Sequence, residues 1–142
     1  MSDNNQERLQ AIVAHMEKDP WGNHLGAVME EVRDGYARFS LKVKPEFLNF
    51  HGMTHGGLIF SLGDLAFAAA GNSYGQVAVA LEVKINFVKA GKLGECLIAE
   101  AEEVSLNGPI GLFDIIVKDG ETGELIAKSQ ATLYRKRETL IA

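Results

Sequence analysis

The stretch Leu58-Ile59-Phe60-Ser61-Leu62-Gly63-Asp64-Leu65-Ala66-Phe67-Ala68-Ala69-Ala70-Gly71-Asn72-Ser73-Tyr74 decides the architecture. Leu58, Leu62, Leu65 and Ala69 recur on one helical face, and Phe60, Asp64, Phe67 and Gly71 fall on another. The segment is apolar almost all round, which predicts a helix of about four to five turns, buried rather than laid on a wet surface. Glycine and serine interrupt it, and it falls short of the about 20 apolar residues of a membrane span.

Everything after Gly75 reads as strand: Val77 to Val88, Glu95 to Val104, Leu112 to Lys118 and Leu125 to Arg135. Turns fall at Lys89 to Gly94, at Asn107-Gly108-Pro109 and at Asp119 to Gly123. Upstream, Ala37, Phe39, Leu41 and Val43 alternate with Arg38, Ser40, Lys42 and Lys44, the period of a strand wet on one face. Asp34-Gly35 joins this strand to another over Leu25 to Arg33, as a hairpin turn would. Pro45 to Gly57 reads as loop. Asn5 to Lys18 carries Leu9, Ile12, Val13 and Met16 at helical spacing, with Asp3 or Asn4 as N-cap and Pro20 ending the helix. This order predicts an α+β fold: a long central helix wrapped by a curved antiparallel sheet, plus a short N-terminal helix. No composition shift divides the chain, so one domain is expected over 1–142, with 1–24 as a helical lead-in.

Composition narrows the function. The 14 Lys and Arg against 19 Asp and Glu give a net charge of -5. Nucleic-acid binding draws its affinity from cationic contacts to phosphate, and the short run Tyr134 to Arg137 does not supply them. Cys96 is the single cysteine, which excludes an internal disulfide and a thiolate zinc site and reads as a small buried hydrophobe. The polar N-terminus lacks the pattern of a signal peptide, and a cytoplasmic protein is expected.

Asp64 is the one ionisable residue between Gly57 and Tyr74. A carboxylate on an apolar helix is either turned to a solvent channel or placed in a low-dielectric cleft as base or nucleophile. Upstream, Gly56-Gly57 opens the helix, where unpaired N–H groups at the positive end of the dipole polarise a carbonyl oxygen. His51 and His55 lie four apart but in loop, without the intervening Glu of a metalloprotease helix, so no metal site is expected. Neither a nucleophile elbow nor a phosphate-binding or dinucleotide glycine fingerprint occurs.

These residues carry a resemblance. Asn49, Gly52, His55-Gly56-Gly57, Asp64 and Phe67, then Gly71 to Gly75, Asn86 to Gly91 with Gly94, and Ala131 to Tyr134, resemble the hotdog-fold acyl-CoA thioesterases, most of all their phenylacetate-degradation subfamily. The resemblance covers about Leu25 to Arg137. It implies homodimers with sheets joined edge to edge, tetramers as dimers of dimers, and sites whose Gly56 and Asp64 come from opposite subunits. It implies Asp64 as acid residue, Gly56 as backbone donor to the thioester oxygen, Asn49 as the amide that positions water or thioester, and His55 as the adjacent histidine. Ala68 stands where some relatives carry a hydroxyl.

The implied substrate is an acyl-CoA of medium or aromatic acyl group, and coenzyme A is then part of the substrate, not a cofactor. Gly57, Phe50, Met53, Phe67, Asn86, Phe87 and Lys89 are the candidate substrate contacts, with Phe60 a further wall of the acyl pocket. Lys89, Lys92 and Arg135 to Arg137 are the cations available to the phosphates. Two rivals share the fold: a non-enzymatic acyl-CoA-binding module, and a hydratase or dehydratase using His55 with Asp64.

Overall fold

The computed structural model describes residues 3–141. Its elements are α1 (Asp3–Met16), α2 (Pro20–Leu25), β1 (Val28–Arg33), β2 (Tyr36–Lys42), α3 (Gly56–Asn72), β3 (Gln76–Phe87), β4 (Cys96–Asn107), β5 (Ile110–Asp119) and β6 (Leu125–Thr139). A 3-10 turn over Pro45–Phe47 interrupts the loop before α3. The six strands form one antiparallel sheet in the order β1-β2-β4-β5-β6-β3, and α3 lies across its inner face.

The alternation of β2 sets the inside of the sheet. Ala37, Phe39 and Leu41 are buried, and the strand pairs in unbroken register with β4 from Tyr36↔Glu102 to Lys42↔Cys96. Gly35, at φ 73, makes the turn from β1 to β2, and its N–H donates to Ser73 Oγ at 2.8 Å. The hairpin is thus pinned to the far end of α3. Asn72 anchors the next strand: its Oδ1 accepts from Ala78 N–H at 2.9 Å, and its Nδ2 donates to Ala68 O at 2.8 Å.

α3 packs closely on the sheet. A side chain at Gly71 would begin 2.5 Å from Leu133 Cδ2, so glycine lets the helix lie this near β6 without displacing Leu133. Leu62, Ala66, Phe67 and Ala70 face the core, and the Phe67 ring meets Phe113 edge-on at 5.4 Å. The helix is not buried all round. Phe60, Asp64 and Ala68, at i, i+4 and i+8, form an exposed stripe. Apolar residues on that stripe are small or isolated, which is why the composition alone reads as full burial.

The N-terminal expectations need correction. α1 ends at Met16, and Pro20 starts a second helix instead of ending the first. Asp19 is its N-cap, with Oδ2 accepting from Gly22 N–H at 2.7 Å, and proline suits the first helical position because no N–H is needed there. Asp3 and Asn4 lie inside the first turn of α1, not at its cap. Leu25 belongs to α2, and Gly26 in the left-handed conformation closes it, so β1 begins only at Val28. Cys96, read as buried, is exposed at the start of β4.

Candidate active site

The loop before α3 is built from its own polar groups. Asn49 Oδ1 accepts from His51 N–H at 2.9 Å and from Met53 N–H at 3.2 Å, and Asn49 N–H donates to Met53 O at 2.7 Å. The amide oxygen is therefore committed to the loop, and the Asn49 Nδ2 protons are the ones left for a ligand. Thr54 is buried: its N–H donates to Gly91 O at 2.9 Å, and a side chain at 91 would start 2.7 Å from Thr54 Oγ1. This contact fixes the loop against the turn after β3.

His55 is the N-cap of α3, in extended backbone at φ -62 and ψ 136. Its N–H donates to Phe47 O at 2.8 Å, and its Nδ1 accepts from Gly57 N–H at 3.0 Å. His55 O accepts from Leu58 N–H at 3.0 Å and from Ile59 N–H at 3.3 Å. Of the first four N–H groups of α3, only that of Gly56 meets no acceptor among the described residues. The helix start therefore offers one donor, with the dipole behind it. The Phe87 ring lies beside it, 3.4 Å from where a Gly56 side chain would begin.

Asp64 stands two turns along. Its side chain reaches solvent from the open stripe and borders a hollow of about 200 Å³ with Phe67, Ala68, Gly71 and Leu133. Desolvation lifts its carboxyl above the usual carboxylate range, and the negative charge of Asp19 adds to the lift. Asp19 was not legible as a neighbour of Asp64. The Asp19-Pro20 pair signals a helix cap, but nothing local places that cap beside α3.

Eight residues of helix separate Gly56 from Asp64, about 12 Å along the axis. One carbonyl group does not meet both within a single chain. His55 and Asp64 are likewise too far apart to act as a pair in one chain. Of the remaining candidates, Phe67 is core, while Phe50, at 93% exposure, Met53 and Phe60 line neither this hollow nor the larger cavity under the N-terminal helices. Asn86 follows strand alternation to the face of β3 opposite Phe87, away from Gly56. Lys89 is paired with Glu124. Among the described residues no group of three His, Cys, Asp or Glu is placed to hold a metal ion, and no helix is long and apolar enough to cross a membrane.

Residues 51–126 match the profile of the Thioesterase superfamily. A candidate esterase of Archaeoglobus fulgidus is 46% identical over 114 residues, covering 80% of this chain and 73% of that one. The chain belongs to the thioesterase superfamily. It has the hotdog fold. The acyl-coenzyme A thioesterase PaaI of Escherichia coli is 37% identical over 102 residues, covering 72% of this chain and 73% of that one. The structure of E. coli PaaI, from the phenylacetic acid degradation operon, superposes with a TM-score of 0.87 at 32% identity, covering 92% of this chain and 94% of that one. A hypothetical thioesterase of Streptococcus pneumoniae, solved with coenzyme A, matches at a TM-score of 0.75 and 30% identity over 80% of this chain and 90% of that one. As a member of this superfamily, the chain is a thioester hydrolase.

Proposed function

We propose that this thioesterase hydrolyses acyl-CoA thioesters of medium or aromatic, aryl-acetyl type acyl groups, in sites shared by two copies of the chain. The observation that carries the reading is the placement of Gly56 and Asp64. One is the single unpartnered N–H at the start of α3, the other the single carboxylate on its open stripe, and they are too far apart to serve one carbonyl alone. A two-fold pairing supplies the missing half. β3 is an edge strand with Val79, Leu81 and Phe87 exposed, an open template for a second strand. Antiparallel pairing of two β3 edges runs the two α3 helices in opposite directions, side by side, so the start of one approaches the middle of the other.

In that dimer the thioester oxygen accepts from Gly56 N–H. Asp64 of the partner subunit takes a proton from water as the water oxygen attacks the carbonyl carbon. The tetrahedral intermediate collapses, the C–S bond breaks, and the thiolate of CoA takes up a proton. Asn49 Nδ2 holds the water, and His55 keeps the loop and the first turn in place. Direct attack by Asp64, through a mixed anhydride that water opens, uses the same contacts. The likeness to a protein solved with coenzyme A supports the CoA ester, and the exposed Lys92 is the lysine proposed for its phosphates, joined by Lys89 when it exchanges Glu124 for them. The operon of E. coli PaaI supports a role in aromatic-acid breakdown, and a dimer of dimers is part of the same proposal. The single cysteine supports a cytoplasmic setting.

Thiol release from phenylacetyl- and octanoyl-CoA tests the reading. Asp64→Asn loses about 10²-fold or more of turnover while staying folded, as removal of a general base does. A wild-type rate in that variant removes Asp64 from the mechanism.

A further inference from the structure

A cavity of about 630 Å³ lies between the N-terminal helices, β1 and α3. Its floor is apolar: Met29, Phe39, Leu65 and Ala69, of which Phe39, Leu65 and Ala69 are buried in the core. Its rim carries His15, Glu17, Lys18 and Asp19. That volume falls within the range of small-molecule sites, as does an apolar floor with a few polar groups at the mouth.

Its position relative to Asp64 is the informative feature. Ala68 and Asn72 border both this cavity and the hollow beside Asp64, so the two spaces meet across a single turn of α3. At that saddle the helix presents the methyl group of Ala68 and the amide of Asn72, which is held by Ala68 O and Ala78 N–H. The opposite wall is α2. A side chain at Gly22 would begin 3.3 Å from Leu65 Cδ2, so α2 seats directly on α3 one residue beyond Asp64.

We propose that this cavity is the acyl subsite: the acyl group crosses α3 over Ala68 into the space under the lead-in helices, which accept uncharged ring or medium-chain groups and disfavour carboxylate-bearing ones. The proposal rests on the reading that Asp64 acts on a thioester. The apolar floor supplies the binding of the carbon skeleton. Asp19 supplies the discrimination: its Oδ2 is held at the rim by Gly22 N–H, and with Glu17 and Asp64 it makes the approach predominantly negative. A terminal carboxylate entering there gives up water to meet Asp19 and Glu17, against which Lys18 is the one lysine at the rim.

The experiment measures kcat/KM of full-length wild type, Ala68→Leu and Val28→Trp on acetyl-, octanoyl- and phenylacetyl-CoA. Ala68 closes the saddle, and Val28 fills the cavity from its exposed β1 wall. In both variants the octanoyl-to-acetyl and phenylacetyl-to-acetyl ratios fall by about 10-fold or more, the discrimination a filled apolar pocket gives. Unchanged ratios in variants with wild-type melting overturn the subsite. Calorimetry with a non-hydrolysable octanoyl thioether of CoA reads the same site without turnover. Val28→Trp weakens its binding by a similar factor, and equal affinity overturns the proposal. A wild type that releases no thiol yet binds the thioether sinks the hydrolase reading alone. Asp19→Asn retains an oxygen for the Gly22 cap and removes the charge, so the glutaryl-to-pentanoyl ratio rises. A fixed ratio overturns the charge selection.

Discussion

Replacing Gly56 by proline deletes one N–H and little else. Gly56 is the first residue of α3, where proline is favoured because that N–H has no intrahelical partner. The residue before a proline must be extended, and His55, at φ -62 and ψ 136, already is. The ring's Cβ would sit 3.4 Å from Phe87 Cε1, an ordinary van der Waals contact. At a compatible position such a change stabilises the fold by about 0.4–1 kcal/mol through the unfolded chain. Catalysis responds differently. Gly57 N–H is held by His55, and the next two N–H groups by His55 O, so no other first-turn donor replaces the one removed. Losing a single oxyanion donor lowers kcat by about 10²–10³, or about 2.7–4 kcal/mol of transition-state stabilisation. Steady-state thiol release gives kcat, and circular dichroism melting gives stability. A Gly56→Pro enzyme that melts at or above the wild-type temperature with kcat within about threefold of wild type refutes the assignment of this N–H, since one donor accounts for about 10²-fold at least.

Two further outcomes follow from the Asp64 carboxyl. Burial and Asp19 raise its folded-state pKa, so the charged form is the unfavourable one in the fold. The stability this residue contributes is present at acidic pH and is lost as pH rises through the raised value. Asp64→Asn should therefore gain melting temperature relative to wild type at neutral pH, and the gain should shrink towards pH 4; a gain that grows on acidification contradicts the sign. Asp19→Asn removes the second cause of the lift, so the acid limb of the wild-type rate profile moves to lower pH. An unmoved limb means that Asp19 does not act on Asp64.

Much of this architecture is legible in the chain because local and tertiary demands agree. The alternation from Ala37 to Val43 is a half-buried strand in either description, and Asp34-Gly35 makes the turn that its residue types permit. α3 is legible as a helix but not as to which side stays open, because Phe60 and Ala68 look like core residues until the sheet's curvature leaves their stripe uncovered. Three site features are hidden because folded contacts, not residue type, set them. His55 is not among the residue types that usually cap helices, yet its Nδ1 accepts from Gly57 N–H. Asn49 reads as a free amide, yet its oxygen closes the loop on His51 and Met53. Asp19 lies 45 positions before Asp64 in the chain, and only the packing of α2 on Leu65 brings them near.

A site built from two copies of the chain can be rebuilt by mixing subunits that are each spoiled in a different half. Asp64→Asn spoils the carboxylate half and Gly56→Pro the donor half, so each alone is nearly inactive. Co-expressed in equal amounts, half of the dimers carry one of each, and one of their two sites is intact. A shared site gives about a quarter of the wild-type turnover per chain from the mixture. A mixture no more active than the average of the two single variants, with mixed dimers demonstrated by differential tags, contradicts a shared site.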